Sequence, residues 1–378
     1  ANIVLSIAAS VVGDDSGLEG APIDTAQLSS CTCQTGLRFR KAGDNVFGFG
    51  EKGAFNTFIE TQFMRSNLSM SGYKIIVNPV SGRGVGAQSV PQIESELQAH
   101  GLEYDLVMTD APWHAAELAE KACLEGYEVV VAAGGDGTAN EVLNGLMQAN
   151  KKGGNQSAMG VLTVGRGNDF AYGAGIPLNL ADGCAALAAD KRQKIDVGYV
   201  VGGNYPEGRF FGNGIGIGFD AVVGFEALKL KWLTGFPSYI VAALKTIFLY
   251  YNAPLVEIEF DQGGDNKRTL MISVMNGRRM GGGFMMAPDG LNDDGFFDVC
   301  IADQVSRPRI LGLIPKFMQG SQESQAEVHT HRTTRIRVTA VDGSLPAHAD
   351  GETLCEAGQS LEATILPGRL EVVVAPRE

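Results

Sequence analysis

The sequence predicts an α/β fold in which a mainly parallel sheet covered by helices is followed by a predominantly antiparallel, β-rich domain. Two observations predict it. Between Lys74 and Val164, short apolar runs alternate with segments of helical period, and glycine-bearing turns join them. After Asp196 the apolar residues fall at every second position instead, as in Val256, Ile258 and Phe260 or Leu361, Ala363 and Ile365. The 378 residues are enough for two domains that each bury a core.

Residues 1–70 carry no sustained period and are rich in Gly, Ser and Thr, so they read as an extension without an assigned fold, expected to be dispensable for activity. Met70 has the look of a natural chain start. An α/β domain is expected over 71–197. Its first strand, 74–77, runs into the turn Asn78-Pro79-Val80-Ser81-Gly82-Arg83-Gly84, and Val90, Ile93 and Leu97 then recur at helical spacing. A second strand ends at Thr109, and an alanine-rich helix surrounds 115–122. The third and fourth strands are 129–133 and 159–164. In such a sheet ligands bind beyond the strand C-termini, where all the unusual turns of this chain fall. The second domain, 198–366, alternates with period two around turn clusters such as 262–266, with helical insertions near 222–251 and 307–319. A last strand, 370–374 within 367–378, is expected to return to the first domain.

Composition narrows the function classes. Hydrophobic content of 44% and charged content of 19% are those of a globular protein, and a net charge of -13 argues against a nucleic-acid partner. Six scattered cysteines, with only Cys31 and Cys33 close together, fit reduced thiols and a cytoplasmic setting. No basic segment introduces the apolar start, so no secretory signal is expected. The apolar stretch 236–251 is broken by Pro237 and Lys245 and falls short of the roughly 20 residues of a spanning helix. His329 and His331 share a strand face without a third ligand nearby and read as exposed.

The most informative string is Gly134-Gly135-Asp136-Gly137-Thr138-Ala139-Asn140-Glu141, directly after the third strand. Glycines admit positive φ and close approach of phosphate to backbone N–H groups, and the helix that follows favours negative charge at its start. It is neither a Walker A loop nor a dinucleotide fingerprint. The helix turns Ala139, Val142, Leu143 and Leu146 inward and sets Asn140, Glu141 and Asn144 on a polar face. Nucleotide contacts are therefore expected from Gly134, Gly135, Asp136, Gly137, Thr138, Asn140 and Glu141. Asn78, Pro79, Ser81, Gly82 and Thr109 join them from the first two strand ends, and Arg166, Asn168 and Asp169 from the fourth.

Taken with Asn-Asp-Phe-Ala at 168–171, Gly281-Gly282-Gly283 before Ala287-Pro288, and Asp350-Gly351-Glu352, these strings resemble the diacylglycerol kinase catalytic family, which includes bacterial lipid kinases and sphingosine kinases. The resemblance spans residues 74–375; Thr163 and Arg166 stand where the family usually has proline and threonine. It implies a Rossmann-like nucleotide domain of the phosphofructokinase and NAD kinase type, followed by an antiparallel β-sandwich. It implies ATP and Mg2+ as cofactors and a lipid hydroxyl as acceptor, diacylglycerol or a related lipid drawn from the inner membrane face. It further implies Glu352 as general base with Asp196 as its partner, two close carboxylates of which one is pushed towards neutrality. Asp136 and Asp169 are the candidates for the catalytic Mg2+, held through water. The segment Leu291-Asn292-Asp293-Asp294-Gly295-Phe296 resembles a structural Mg2+ site using the Asp294 carboxylate and the Leu291 and Phe296 carbonyls. The apolar stretch from Leu228 to Phe248 serves equally as lipid contact or ordinary core. A second copy of the chain is a candidate partner. A kinase of a soluble acceptor, NAD kinase-like, and a nucleotide-binding regulator without transfer remain open.

Overall fold

In this computed structural model the described residues are 72–376, apart from 155, 166, 231–235 and 250–252. The extension 1–70, with Cys31 and Cys33, and the expected nucleotide contact Arg166 lie outside them.

Four parallel strands make the first layer: β1 (Tyr73–Val77), β2 (Tyr104–Met108), β3 (Val129–Gly134) and β4 (Ala158–Thr163), in the order β2-β1-β3-β4. Every residue of β3 and β4 is buried, which is why these strands read as continuous apolar runs. Successive side chains point to opposite faces. Val130 and Ala132 pack under α2 (His114–Glu125) and α3 (Asp136–Lys151), while Val129, Val131 and Ala133 meet α1 (Ser81–Ala99) and α5 (Leu180–Ala189). The short α4 (Asp169–Gly173) follows β4. α1 opens with three successive left-handed residues, Gly82, Arg83 and Gly84, so its regular part begins only after the turn.

Beyond β4 the chain is antiparallel. β5 (Arg192–Gly202), β6 (Tyr205–Phe211), β8 (Leu255–Phe260), β12 (Arg335–Asp342) and β15 (Ser360–Val373) form one layer. β7 (Gly214–Gly218), β10 (Phe297–Asp303), β11 (Val328–Thr333), β13 (Leu345–Ala349) and β14 (Glu352–Gly358) form the other. β9 (Gly264–Met275) serves both, pairing with β8 through its first half and with β7 and β10 through its second. Inward residues of the two layers, among them Phe211, Ile258, Val274, Phe297, Val338 and Ala363, close a single core. Three helices stand outside the sandwich: α6 (Phe219–Lys229), α7 (Phe236–Leu249) and α8 (Arg307–Gln319).

Two local readings change. The turn expected over 262–266 is shorter, because Gly264, Asp265 and Asn266 already pair with β8. The segment 370–374 is not a separate strand: it continues β15 past a register shift between Leu366 and Leu370, and Val372 pairs in parallel with Met159 of β4. No helix among the described residues is long and apolar enough to cross a membrane.

Candidate active site

Three turns meet where β1, β3 and β4 end. Asn78 Nδ2 donates to Thr138 Oγ1 at 3.0 Å, joining the first turn to the second. A Cβ on Gly135 would lie 3.2 Å from the Gly165 Cα and 3.7 Å from Ser81 Oγ, and one on Gly82 only 2.7 Å from the Val164 carbonyl oxygen. Only glycine fits at 82, where φ is also positive, and a side chain at 135 would crowd the Gly165 backbone. Asp136 Oδ1 accepts the Phe170 N–H at 3.1 Å and so ties the second turn to the start of α4. Pro79 accepts the Ala87 N–H, and Thr109 N–H donates to Val77 at the rim of this cluster, with its side chain buried. Asn168 adopts a left-handed conformation, with its Nδ2 on the Gly165 carbonyl and its Oδ1 buried without a partner.

Two carboxylates converge here. A Cβ on Gly167 would lie 2.7 Å from Asp136 Oδ2 and 3.6 Å from Asp169 Oδ2. Burial pushes both groups above the ordinary carboxylate range; Asp350 adds to the shift at Asp136, and Asp136 helps carry Asp169 to about 7. Asp169 is held by Arg279, whose Nε donates to Oδ1 at 2.9 Å, and by the Gly282 N–H. A pair of converging hard oxygen donors with one cation, Arg279, on the Asp169 side suits Mg2+. Among the described residues no cluster of three or more His, Cys, Asp or Glu is arranged to hold a metal.

Glu352 comes to the same place from the second lobe, with Oε1 3.3 Å from the Cβ position of Gly137. Asp350 puts it there. Asp350 Oδ1 accepts the Asn213 and Gly214 N–H groups, both at 2.9 Å, and Oδ2 accepts the Gly212 N–H and Asn140 Nδ2, both at 2.7 Å. The left-handed turn at Asp350 and Gly351 then starts β14 at Glu352.

Several expected contacts take other partners. Asp196 does not join Glu352: its oxygens accept the Gly295 N–H at 2.6 Å and the Gly368 N–H at 2.7 Å, and its main chain bonds Asn292 and Asn276. It fastens two loops of the sandwich and does not line the cavity below. Asn140 and Asn144 are buried rather than displayed; they bind Phe210 main-chain atoms, and Asn140 Oδ1 accepts Arg209 Nη2 at 2.6 Å. Glu141 accepts the Ala115 N–H at 3.1 Å, capping α2. A helical wheel cannot tell a polar face aimed at ligand from one aimed at another strand. Around the metal donors expected at Leu291, Asp294 and Phe296, the Asp294 side chain has protein partners. Asp294 is ion-paired with Arg332, whose guanidinium also lies over the Phe296 ring, and accepts the Phe296 N–H.

The cradle opens into a cavity of about 460 Å³ that continues between the sandwich and the three outer helices. Asp136, Asp169 and Glu352 line one end; Leu313 and Phe317 of α8, Val223 of α6 and Ala243 of α7 represent the other. Two polar side chains interrupt the apolar wall. Burial pushes Asp220 up to about 7, although it accepts Ser273 Oγ at 3.0 Å, and holds His348 down at about 4. Asp350 as the positioning group, Arg279 on Asp169, and this polar pair were not read from sequence. Only Asp350 carried a local signal, as the first residue of Asp-Gly-Glu.

Residues 72–200 match the family model described as diacylglycerol kinase catalytic domain, and residues 213–374 the one described as YegS C-terminal NAD kinase beta sandwich-like domain. The chain is 26% identical over 300 residues to a diacylglycerol kinase of Mycobacterium tuberculosis, covering 79% of this chain and 93% of that one. It is 28% identical over 288 residues to a diacylglycerol kinase of Bacillus subtilis, covering 75% and 90%. A crystal structure of a diacylglycerol kinase from Bacillus anthracis superposes with a TM-score of 0.62 at 20% identity, covering 81% of this chain and 97% of that one, and shows the shared fold. The matching family model and the curated relatives thus define a kinase, an enzyme of the phosphotransferase class. The chain belongs to the diacylglycerol kinase catalytic-domain family.

Proposed function

We propose that this protein is an ATP- and Mg2+-dependent lipid kinase that moves the γ-phosphoryl group of ATP to the hydroxyl of diacylglycerol or a related lipid. One observation carries the reading: the Glu352 carboxylate stands beside Gly137 of the phosphate-type turn, where an apolar cavity opens. In this reading residues 71–197 form the nucleotide lobe, 198–366 the acceptor lobe, and 367–378 rejoin the first.

The phosphates of ATP rest against the N–H groups of Gly135 to Thr138 and the Ser81 hydroxyl, at the start of α3, where the helix end favours negative charge. Asp136 and Asp169 would hold Mg2+, which would supply charge neutralisation for the transferring phosphate. Glu352 accepts the proton of the lipid hydroxyl, whose oxygen forms the new bond to the γ-phosphorus. The bond from that phosphorus to the β,γ-bridging oxygen breaks, and ADP leaves with the electron pair. Phosphoryl transfer asks mainly for positioning and charge neutralisation, and the site is built for both.

The apolar cavity favours a lipid over a soluble acceptor. The helices that wall it also carry outward apolar side chains, Leu244 and Phe248 on α7 and Leu311 and Met318 on α8, which suits extraction of substrate at a membrane surface. Radiolabelled ATP incubated with the protein, with and without a mixed lipid extract, tests the reading. Lipid-dependent ATP consumption and a labelled, solvent-extractable product are expected. Label in a water-soluble acceptor, or nucleotide binding without consumption, overturns it.

A further inference from the structure

The outer helices send one phenol towards the reactive end of the cavity. Tyr239 lies in the first turn of α7, where its ring packs on the apolar cluster of Val223, Ala227, Ala242 and Ala243. The same side chain lines the cavity that Asp136 and Asp169 line. It also covers the glycine turn between β9 and β10. A Cβ on Gly281 would lie 3.2 Å from Tyr239 Cδ1, 3.3 Å from Cγ and 3.4 Å from Cε1. The next residue, Gly282, gives its N–H to Asp169, so the ring stands one residue from an anchor of that carboxylate.

These contacts account for the ring but not for the hydroxyl, since phenylalanine would make all of them. Among the described residues the hydroxyl has no hydrogen-bond partner, and burial, then the charges of Asp169 and Asp136, push it up to about 12. A polar group withdrawn from water is costly unless something hydrogen-bonds to it there. The charges that bear on it belong to the two carboxylates of the phosphate cradle and not to Glu352 on the acceptor side. The hydroxyl is thus a neutral donor facing the place where the transferring phosphate lies. Phosphoryl transfer spreads charge over the equatorial oxygens of the moving group, and a fixed donor aimed at one of them gains strength as that charge develops.

Resting on the kinase reading, we propose that Tyr239 is a further catalytic residue, whose hydroxyl donates a hydrogen bond to a γ-phosphoryl oxygen of ATP during transfer. The phenol keeps its proton throughout. No bond is made or broken at it, and the proton of the acceptor hydroxyl goes to Glu352. One helix therefore supplies both a wall of the acceptor cavity and a donor to the phosphate.

The test measures transfer from radiolabelled ATP to a mixed lipid extract in detergent micelles by the unaltered protein, Tyr239→Phe and Tyr239→Leu. ATP affinity is read by calorimetry and Tm by thermal unfolding. Tyr239→Phe keeps the ring, so Tm, ATP affinity and the apparent KM for the extract are expected to hold while kcat falls by roughly 10²-fold, the worth of one donor to developing charge. Tyr239→Leu is expected to lose at least as much kcat and to lower Tm as well, because the ring leaves Gly281. Near-normal kcat in Tyr239→Phe beside a low kcat in Tyr239→Leu assigns the ring alone and overturns the inference. A raised KM for the extract at unchanged kcat puts the hydroxyl on the acceptor and overturns it likewise. So does a fall of Tm in Tyr239→Phe as large as in Tyr239→Leu, which makes the hydroxyl a structural group. In these cases the kinase reading stands, because the unaltered protein still labels lipid. No labelled lipid from the unaltered protein overturns both.

Discussion

The two ends of the cavity are built on opposite principles. At the cradle end three turns from different strands are cross-tied by Asn78 to Thr138 and Asp136 to Phe170, and Arg279 of the sandwich holds Asp169, so directional bonds place the polar atoms. At the far end the walls are apolar side chains from three helices outside the sandwich, held by contacts that have no direction. Geometry matters at the first end and volume at the second. Substitutions should therefore act on turnover at the one and on acceptor choice or delivery at the other.

The largest expected effect lies where the ends meet. Glu352→Gln should lower kcat by roughly 10²–10⁴-fold, the usual worth of a general base, with ATP affinity measured by calorimetry largely kept. Near-normal turnover would erase the distinction between a reactive end and a receptive one. Next comes a contrast between two carboxylates, Asp196 buried and Asp350 half-buried, that each receive main-chain N–H groups. Asp350→Ala and Asp196→Ala should both lose stability, by roughly 1–3 kcal/mol for the donors left unpaired, in chemical denaturation. Only Asp350→Ala should also lose about 10²-fold in kcat, because Glu352 loses its anchor. An equal loss from Asp196→Ala would restore it to the reaction.

The third expectation concerns pH. Asp169 has its folded pKa raised to about 7 from an ordinary value of 3.8, so the folded state holds the proton across that window. Its contribution to stability is complete below about pH 4 and is lost as pH rises through about 7. Thermal unfolding of the free protein should follow that slope, Asp169→Asn should flatten it, and Mg2+ should raise Tm more on the alkaline side. No slope difference between the two proteins would mean that the carboxylates are not crowded. The smallest effect is expected at the outer surface: Leu244→Ser with Phe248→Ser should change stability by about 0.5 kcal/mol or less. It should still raise KM for acceptor in vesicles, while KM in detergent micelles is unchanged.

What the sequence disclosed follows the same divide. β3 and β4 are buried on both faces and so appear as unbroken apolar runs, and the glycines at 134–137 announce a close backbone approach, so both were legible. Partners of buried polar groups were not. Asp196 and Asp350 look alike in sequence, yet one fastens loops at Gly295 and Gly368 while the other stands behind Glu352. Asn140 lay on the predicted polar face, but β6 covers that face and turns the residue into a link between Arg209 and Asp350. The Asp220–His348 pair was hidden because its two members are far apart along the chain and meet only over Gly216.

β15 runs for 14 residues, bonding to β12 and β5 of the sandwich and then, at Val372, to β4 of the parallel layer. A strand shared in this way, with one register shift on its path, splints the two halves together, so the described residues lack the anatomy of a clamshell. Loading and unloading must then fall to the outer helices and the turns, like a drawer sliding within a fixed frame.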